Sequence, residues 1–506
     1  MALLGIDIGT TNTKLKMYDE EGRALEEQSF PTPLLFDADG PYYDAERLFV
    51  TLCESMRGFS EPIRQRIRAL SVSSFAEVVV GLSENGTPLN RCIPWYDERT
   101  REQIATLNLE PSWVYRTTGL SPHHKYSLYK LLWHRHHERE VFERVCRWTS
   151  MSGYVLFALS GELSFDHSLA SRTMLFDQHR RSWSEELLKV VGIPQEKMSP
   201  LHPSGVTLGT LKKEVAQKSG LPKNTLVVTG GHDHLCAALA SGVFQKGWGL
   251  ISTGTTESLT IPLEEPPSFP EESGGKPFSF GHHVVFPLYY ALGGIYSGGY
   301  SVDWLLRLLG ESYRLFEGTE IPLGRSTPLF FPYLLGGEYE EAKGAFLNLW
   351  GKTDKKDLAL GVLCGLCAEY RIIWERMEKE LSYKVDHAVN VGGGVQNKTW
   401  MSLKATFLGQ PIVVPEEKEG SCQGAALLAG IGAGIYKSPT EVFQRTFRIG
   451  EVFEPLENLK EEVHCFFETY CSVRGVLKEA NVHLARGFEK ESRGHRDHCD
   501  RSGKTG

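Results

Sequence analysis

The sequence predicts an α/β protein built from two large domains, and three observations carry that prediction. Stretches with strand periodicity interleave with stretches of helical periodicity along most of the chain. At 506 residues the chain is too long for a single hydrophobic core. A short apolar strand leading into a Gly-Thr-Thr turn occurs twice, at Gly9-Thr10-Thr11 and at Gly254-Thr255-Thr256, about half the chain apart. The two turns suggest two related lobes, each opening with a hairpin.

Composition narrows the class. Hydrophobic residues make up 41% and charged residues 23%, the balance of a soluble globular protein. Net charge is -8 with both signs interspersed, so no basic face is left to neutralise a nucleic-acid backbone, and no nucleic-acid partner is expected. Asp7 interrupts the first apolar run and no run approaches membrane-spanning length, so neither a signal peptide nor a membrane partner is expected. The ten cysteines are scattered; Cys364 and Cys367 fall in a helical pattern continuing to Tyr370 and Ile373, which reads as core packing. Together these features predict a reducing, cytoplasmic location.

In chain order, an apolar strand over 3–8, a Gly-Thr-Thr-Asn turn and a strand over 13–18 make a hairpin, and a third extended segment ending near Pro31 completes an antiparallel meander. Strand patterns follow over 69–72 and 78–82, and a helical pattern over 130–144. A buried-strand pattern over 225–229 leads to a Gly230-Gly231-His232-Asp233 turn, then a small-residue helix over 235–240. The candidate domain boundary lies over 243–249. Past the second hairpin, a strand over 388–391 meets a Gly392-Gly393-Gly394 turn and a helix over 398–408 ending at Gly409. A strand from 411 to 415 precedes a helix over 424–434 rich in Ala and Gly, which implies close helix–strand packing. The expected division is therefore 1–243, 244–450, a helical extension over 451–488 and a polar, disordered tail over 489–506.

Gly-Thr-rich turns present backbone N–H groups and hydroxyls to an anion, so two such turns suit a polyphosphate. The alternative is a pair of ordinary hairpin turns. Asp7, at the base of the first turn, offers a hard carboxylate oxygen to Mg²⁺, and Lys14 offers a positive charge to phosphate. No Walker-type loop is present; Gly503-Lys504-Thr505 has His498 where that motif needs its first glycine. Asp233, on a turn after a strand, suits a base that accepts a hydroxyl proton. His232 and His234 flank it and raise a zinc alternative, against which an extended stretch would point the two rings to opposite faces. A third reading is a helix cap. The Gly392–394 run lets backbone approach a flat ligand or, equally, lets strand and helix pack tightly.

These residues resemble the FGGY family of carbohydrate kinases. The resemblance runs through GIDIGTTNTK at 5–14, PWYDERT at 94–100, KLLW at 130–133, ASRTMLFD at 170–177 and GGHDH at 230–234. It continues through STGTT at 252–256, GGGVQN at 392–397 and EGSCQGAALLAG at 419–430. It implies two ribonuclease H-like domains of the actin-like ATPase type flanking a central cleft, and transfer of the γ-phosphoryl group of ATP to a hydroxyl of a small sugar or polyol. By the same resemblance Asp233 is the general base, and Asp7 and Asp233 attend Mg²⁺. Thr10, Thr11, Asn12, Thr13 and Lys14 serve the phosphates with Gly254 and Thr255, while Gly393, Gly394 and Asn397 hold the adenosine; Gly298 belongs to the same nucleotide set. Acceptor contacts are expected from Glu77, Ala76, Trp95, Asp97, Tyr126, Asp233 and His234. Glycerol kinases carry Arg-Glu where this chain has Ala76-Glu77, so the arginine's donors are expected to be missing. They carry glutamine at the position of His234, and xylulokinases carry Met-His near positions 76 and 77. The acceptor is thus expected to be a ketose, a sugar alcohol or a related polyol. A non-catalytic ATP-binding regulator on the same fold is the alternative, against which the retention of both Asp7 and Asp233 argues. A zinc-dependent hydrolase is weaker still. For assembly, a homodimer is carried as an open alternative.

Overall fold

The structure, a computed structural model, describes residues 1–107, 109–268, 278–316, 321–337 and 341–501, with side chains to 485. Along the chain, the elements that position functional residues begin with β1 (Ala2–Ile8), β2 (Asn12–Tyr18), β3 (Ala24–Pro31) and β4 (Ile67–Ser74). Next come α1 (Ser127–His137), β5 (Thr207–Thr210), β6 (Leu226–His232) and α2 (Asp233–Ala240). The second half contributes β7 (Trp248–Thr253), β8 (Glu257–Leu263), α3 (Gly298–Leu309), α4 (Lys355–Leu381) and β9 (His387–Val391). It ends with α5 (Lys398–Leu408), β10 (Ile412–Pro415), α6 (Gly420–Gly432) and α7 (Lys460–Arg501).

The chain forms two compact units. One comprises Met1–Leu250, Thr260–Leu292 and Pro415–Ile449; the other Ile251–Leu259, Gly293–Val414 and Gly450–Gly506. The crossings fall inside strands β7 and β8, and α6 belongs to the first unit despite its late place in the chain.

A six-stranded sheet of order β5-β6-β4-β1-β2-β3 organises the first unit. β1, β2 and β3 are the antiparallel meander, while β4 runs parallel to both β1 and β6. Alternation along β1 sends Leu4, Ile6 and Ile8 into one core cluster and Leu3 into another, so both faces of the sheet are buried. β6 departs from expectation. Gly230, Gly231 and His232 are strand rather than turn, and α2 starts at Asp233 with no loop. A Cβ at 230 would stand 1.9 Å from the Val72 carbonyl oxygen, so glycine is what lets β6 stay paired there, beside an irregularity in register between Val228 and Gly231.

Two further expectations change. The helical stretch 130–144 is two helices, α1 and Arg139–Arg144. Between them Glu138 leaves the helical region (φ -128°, ψ 47°), with its carboxylate bonded to His134 and Arg91. The small residues of α6 serve helix–helix contact as well as helix–strand contact. A Cβ at Gly5 would meet the Cys422 carbonyl oxygen at 1.8 Å, and one at Gly424 would meet the Cys236 carbonyl oxygen of α2 at 1.9 Å.

In the second unit, β8, β7, β9 and β10 neighbour one another in that order within a sheet. Cys364 and Cys367 are buried thiols inside α4. Glu369 of α4 anchors α7: it pairs with Arg474 at 2.9 Å and accepts from the Tyr333 and Tyr470 hydroxyls at 3.0 and 3.2 Å. α7 runs on through much of the segment read as a disordered tail, and 502–506, with the Gly503-Lys504-Thr505 motif, lie outside the described residues. No helix among the described residues is long and apolar enough to cross a membrane.

Candidate active site

In the first unit, Asp7 near the end of β1 and Asp233 just past the end of β6 occupy the carboxyl ends of the two strands flanking β4. That is where open α/β sheets place their ligands. Register makes the alignment: Ser73 of β4 pairs with both Asp7 and Gly231. The Ser73 hydroxyl donates to Asp7 Oδ1 at 2.8 Å, and the Ser421 hydroxyl donates to the Asp233 carbonyl oxygen at 3.1 Å. Both carboxyls are pushed up to about 7. Burial is the main cause in each; Asp7 also feels the charge of Asp233, and Asp233 that of Glu77. Two carboxylates in this state suit a hard cation, which would favour ionisation of both.

Asp233 accepts the His234 N–H at 2.7 Å, and His232 Nε2 lies 3.2 Å from Asp233 Oδ1. Because α2 begins at Asp233, the rings of His232 and His234 do not diverge. Their centroids are 5.2 Å apart, and one ligand atom from each of the three residues lies within 4.8 Å of the others. The alternation argument against a shared site therefore fails. Burial holds both rings neutral, His234 at about 4.

Glu77 sits with φ +66°, a left-handed conformation that is unusual for a non-glycine residue and concentrates at functional sites. Its carbonyl oxygen accepts from Lys130 Nζ at 2.9 Å and the Ser127 hydroxyl at 3.1 Å. Its Oε1 accepts two bonds from Arg172, from Nε at 2.9 Å and Nη2 at 2.7 Å. Arg172 also donates to the Ser279 hydroxyl at 2.9 Å, and its guanidinium carbon is 5.4 Å from the Tyr126 ring centroid. Position 76 is a buried alanine in the core, so no arginine stands there, and Arg172 brings a guanidinium to Glu77 from a separate segment. Arg172 and Lys130 are the cations beside Glu77 that motif reading does not single out; Lys130 stands alone among apolar residues over 128–133, which is a signal, whereas Arg172 lies between Ser171 and Thr173 and offers none. Burial pushes the Lys130 ammonium down to about 7.

Other residues are placed differently. Trp95 Nε1 donates to Thr10 Oγ1 at 3.1 Å, so the indole belongs with the first hairpin turn. Asp97 is occupied by Arg99, with contacts of 2.9 Å to both its oxygens. Thr11 and Asn12 are exposed at the turn, whereas Thr13 is buried against the Thr32 hydroxyl at 3.0 Å. Lys14 pairs with Glu419 at 2.6 Å.

The second unit holds the other nucleotide candidates. Gly254 and Thr255 lie on the turn between β7 and β8, and their carbonyl oxygens accept the Gly299 and Tyr300 N–H groups at 2.9 and 3.1 Å. Gly298 opens α3, and a Cβ there would meet the Glu257 backbone nitrogen at 2.9 Å, so glycine is needed for the turn to dock. Gly392 has φ +101°, Gly393 and Gly394 form a short 3₁₀ turn, and Asn397 caps α5 by accepting the Trp400 N–H at 3.0 Å. Nothing lies within 4 Å of a Cβ built at Gly393, so that backbone is open to a ligand.

The N-terminal domain profile of the FGGY family of carbohydrate kinases matches residues 2–240, and its C-terminal domain profile matches 249–433. The chain is 27% identical to a xylulose kinase of Bacillus subtilis (strain 168) over 96% of this chain and 99% of that one. It is 24% identical to a gluconokinase of the same organism over 96% and 97%. The fold is similar to that of a solved, ligand-bound xylulose kinase from Lactobacillus acidophilus, with TM-score 0.86, 23% identity and coverage of 96% and 99%.

Proposed function

Because this chain belongs to the FGGY family of carbohydrate kinases, and so is an ATP-dependent phosphotransferase with an alcohol acceptor, we propose that Asp233 is its general base and that Glu77 and Arg172 read the acceptor's hydroxyls. The observation that carries this is the placement of Asp233 where it interacts with both Asp7 and the Glu77–Arg172 pair. Glu77 Oε1 is taken by Arg172, which leaves Oε2 to accept a hydroxyl proton from substrate, while the neutral His234 serves a second hydroxyl. Tyr126 lies under the guanidinium and suits packing against a carbon skeleton. A ketose, a sugar alcohol or a related polyol fits this donor and acceptor set.

In the reaction, the acceptor oxygen bonds to the γ-phosphorus as the bond to the β-bridging oxygen breaks, ADP leaves, and Asp233 receives the hydroxyl proton. Thr10, Thr11, Asn12 and Lys14 attend the phosphates with Gly254 and Thr255; Gly298, Gly393, Gly394 and Asn397 attend the rest of the nucleotide. Asp7 and Asp233, whose neighbouring carboxylates form a hard oxygen donor set, would hold Mg²⁺, which would supply charge neutralisation to the phosphates. The acceptor and phosphate work falls to residues 1–243, the nucleotide work to 244–450, and the location is cytoplasmic.

Asp233→Asn tests the assignment. Nucleotide binding is retained and acceptor-dependent ADP release falls by about 10²- to 10⁴-fold; near-normal turnover would reject Asp233 as the base. A coupled ADP-release screen over pentuloses, hexuloses, sugar alcohols and sugar acids identifies the acceptor.

A further inference from the structure

We infer that Lys404 is a positioning residue for ATP, locking the 254–256 turn and the 392–394 loop into one arrangement from beneath. The inference rests on the reading that these two segments hold the nucleotide. Lys404 lies on α5, and neither it nor Glu257 has any exposed side-chain surface. Its Nζ donates to Thr253 Oγ1 at 2.7 Å and pairs with Glu257 Oε1. Thr253 immediately precedes the turn and Glu257 immediately follows it, so one ammonium clasps both stems.

Thr253 is also the floor of the loop. Its hydroxyl donates to Asn390 Oδ1 at 3.0 Å, two residues before Gly392. A Cβ at Gly392 would stand 2.6 Å from the Thr253 carbonyl oxygen, and one at Gly394 would stand 2.3 Å from Thr253 Cγ2. The loop thus rests directly on the threonine that starts the turn, and the helix it leads into carries Lys404. Thr253 touches both segments, which ties the placement of the turn to that of the loop.

A fully buried ion pair is a poor device for stability alone, because well-packed apolar side chains of similar volume do as well or better. Here the Glu257 Oε2 atom is left without a partner among the described residues. Nζ stands 4.8 Å from the Trp400 ring centroid and 5.4 Å from that of Tyr370, so two aromatic faces fix the ammonium. What the pair supplies that an apolar pair lacks is direction, with bonds to both stems at once.

The test is steady-state kinetics on the full chain with both substrates varied. In Lys404→Met/Glu257→Met, removing both charges together, KM for ATP rises about tenfold or more while KM for the acceptor is unchanged. Thr253→Val, nearly isosteric, removes only the bridging hydroxyl and gives the same split; it decides the matter if the double variant does not fold. An unchanged KM for ATP in a folded variant, or an equal rise in both KM values, overturns the inference. Gly254→Ala separates the two levels, since a methyl there fits, its nearest contact being the Thr256 carbonyl oxygen at 3.5 Å, but stands on the turn itself. If it leaves KM for ATP unchanged, the nucleotide assignment fails and this inference with it. If it raises KM for ATP while the Lys404 and Thr253 variants do not, only this inference fails.

Discussion

Asp7 and Asp233 hold their protons to about pH 7 in the native state, because burial disfavours both charges, with the charge of Asp233 adding to the effect on Asp7 and that of Glu77 to the effect on Asp233. An unfolded aspartate ionises near 4, so between those values the native state binds more protons and stability falls as pH rises; above 7 the full cost is present. Asp233→Asn removes the share of that cost that Asp233 carries and its repulsion of Asp7. In EDTA at pH 8 its melting temperature exceeds that of the wild type, and the gain disappears near pH 4; a variant no more stable than wild type at pH 8 would contradict the repulsion. Arg172 has the opposite character, since it neutralises Glu77 in a buried setting. Arg172→Met strands that carboxylate and lowers unfolding free energy by about 3–5 kcal/mol in a urea titration. Adding Glu77→Met recovers stability, yet KM for the acceptor stays raised, because the hydrogen-bonding pair is gone. Recovery of both would reduce the pair to a packing feature.

At the scale of elements, α6 fixes how closely helix and strand approach. Gly5 of β1 faces the Cys422 carbonyl oxygen and Gly424 faces that of Cys236, each at a separation no Cβ tolerates. Gly5→Ala is therefore expected to force β1 and α6 apart, at about 1–3 kcal/mol or more, and to disturb Asp7 two residues along the same strand. The check is a paired measurement of melting temperature and turnover in which both fall; a neutral result would mean the backbone yields at no cost. The strand-to-helix junction at Asp233 follows the same logic. Gly230 keeps β6 hydrogen-bonded to its end, so Asp233 is set by strand register and a helix start together rather than by a loop.

For the whole molecule, ligand linkage gives the simplest expectation. ADP with Mg²⁺ binds only the native state and adds about 2.7 kcal/mol of stability at a hundredfold excess over Kd, read as a rise in melting temperature; EDTA shrinks that rise and abolishes turnover. A melting temperature indifferent to ADP would contradict nucleotide binding. The sequence by itself determined the α/β class, the meander, the two Gly-Thr turns and Asp7 and Asp233 as chemical candidates, because periodicity, turn residues and motif spacing are local properties of the chain, while Glu77 came from the family resemblance. Only tertiary structure decided that α6 joins the first unit, that Arg172 pairs with Glu77, that the rings of His232 and His234 sit together, and that Lys404 lies under the second turn. The histidine arrangement follows from the helix start at Asp233; the other facts depend on which distant segments pack side by side, through burial and pairing across long separations that leave no periodic trace in the residues involved.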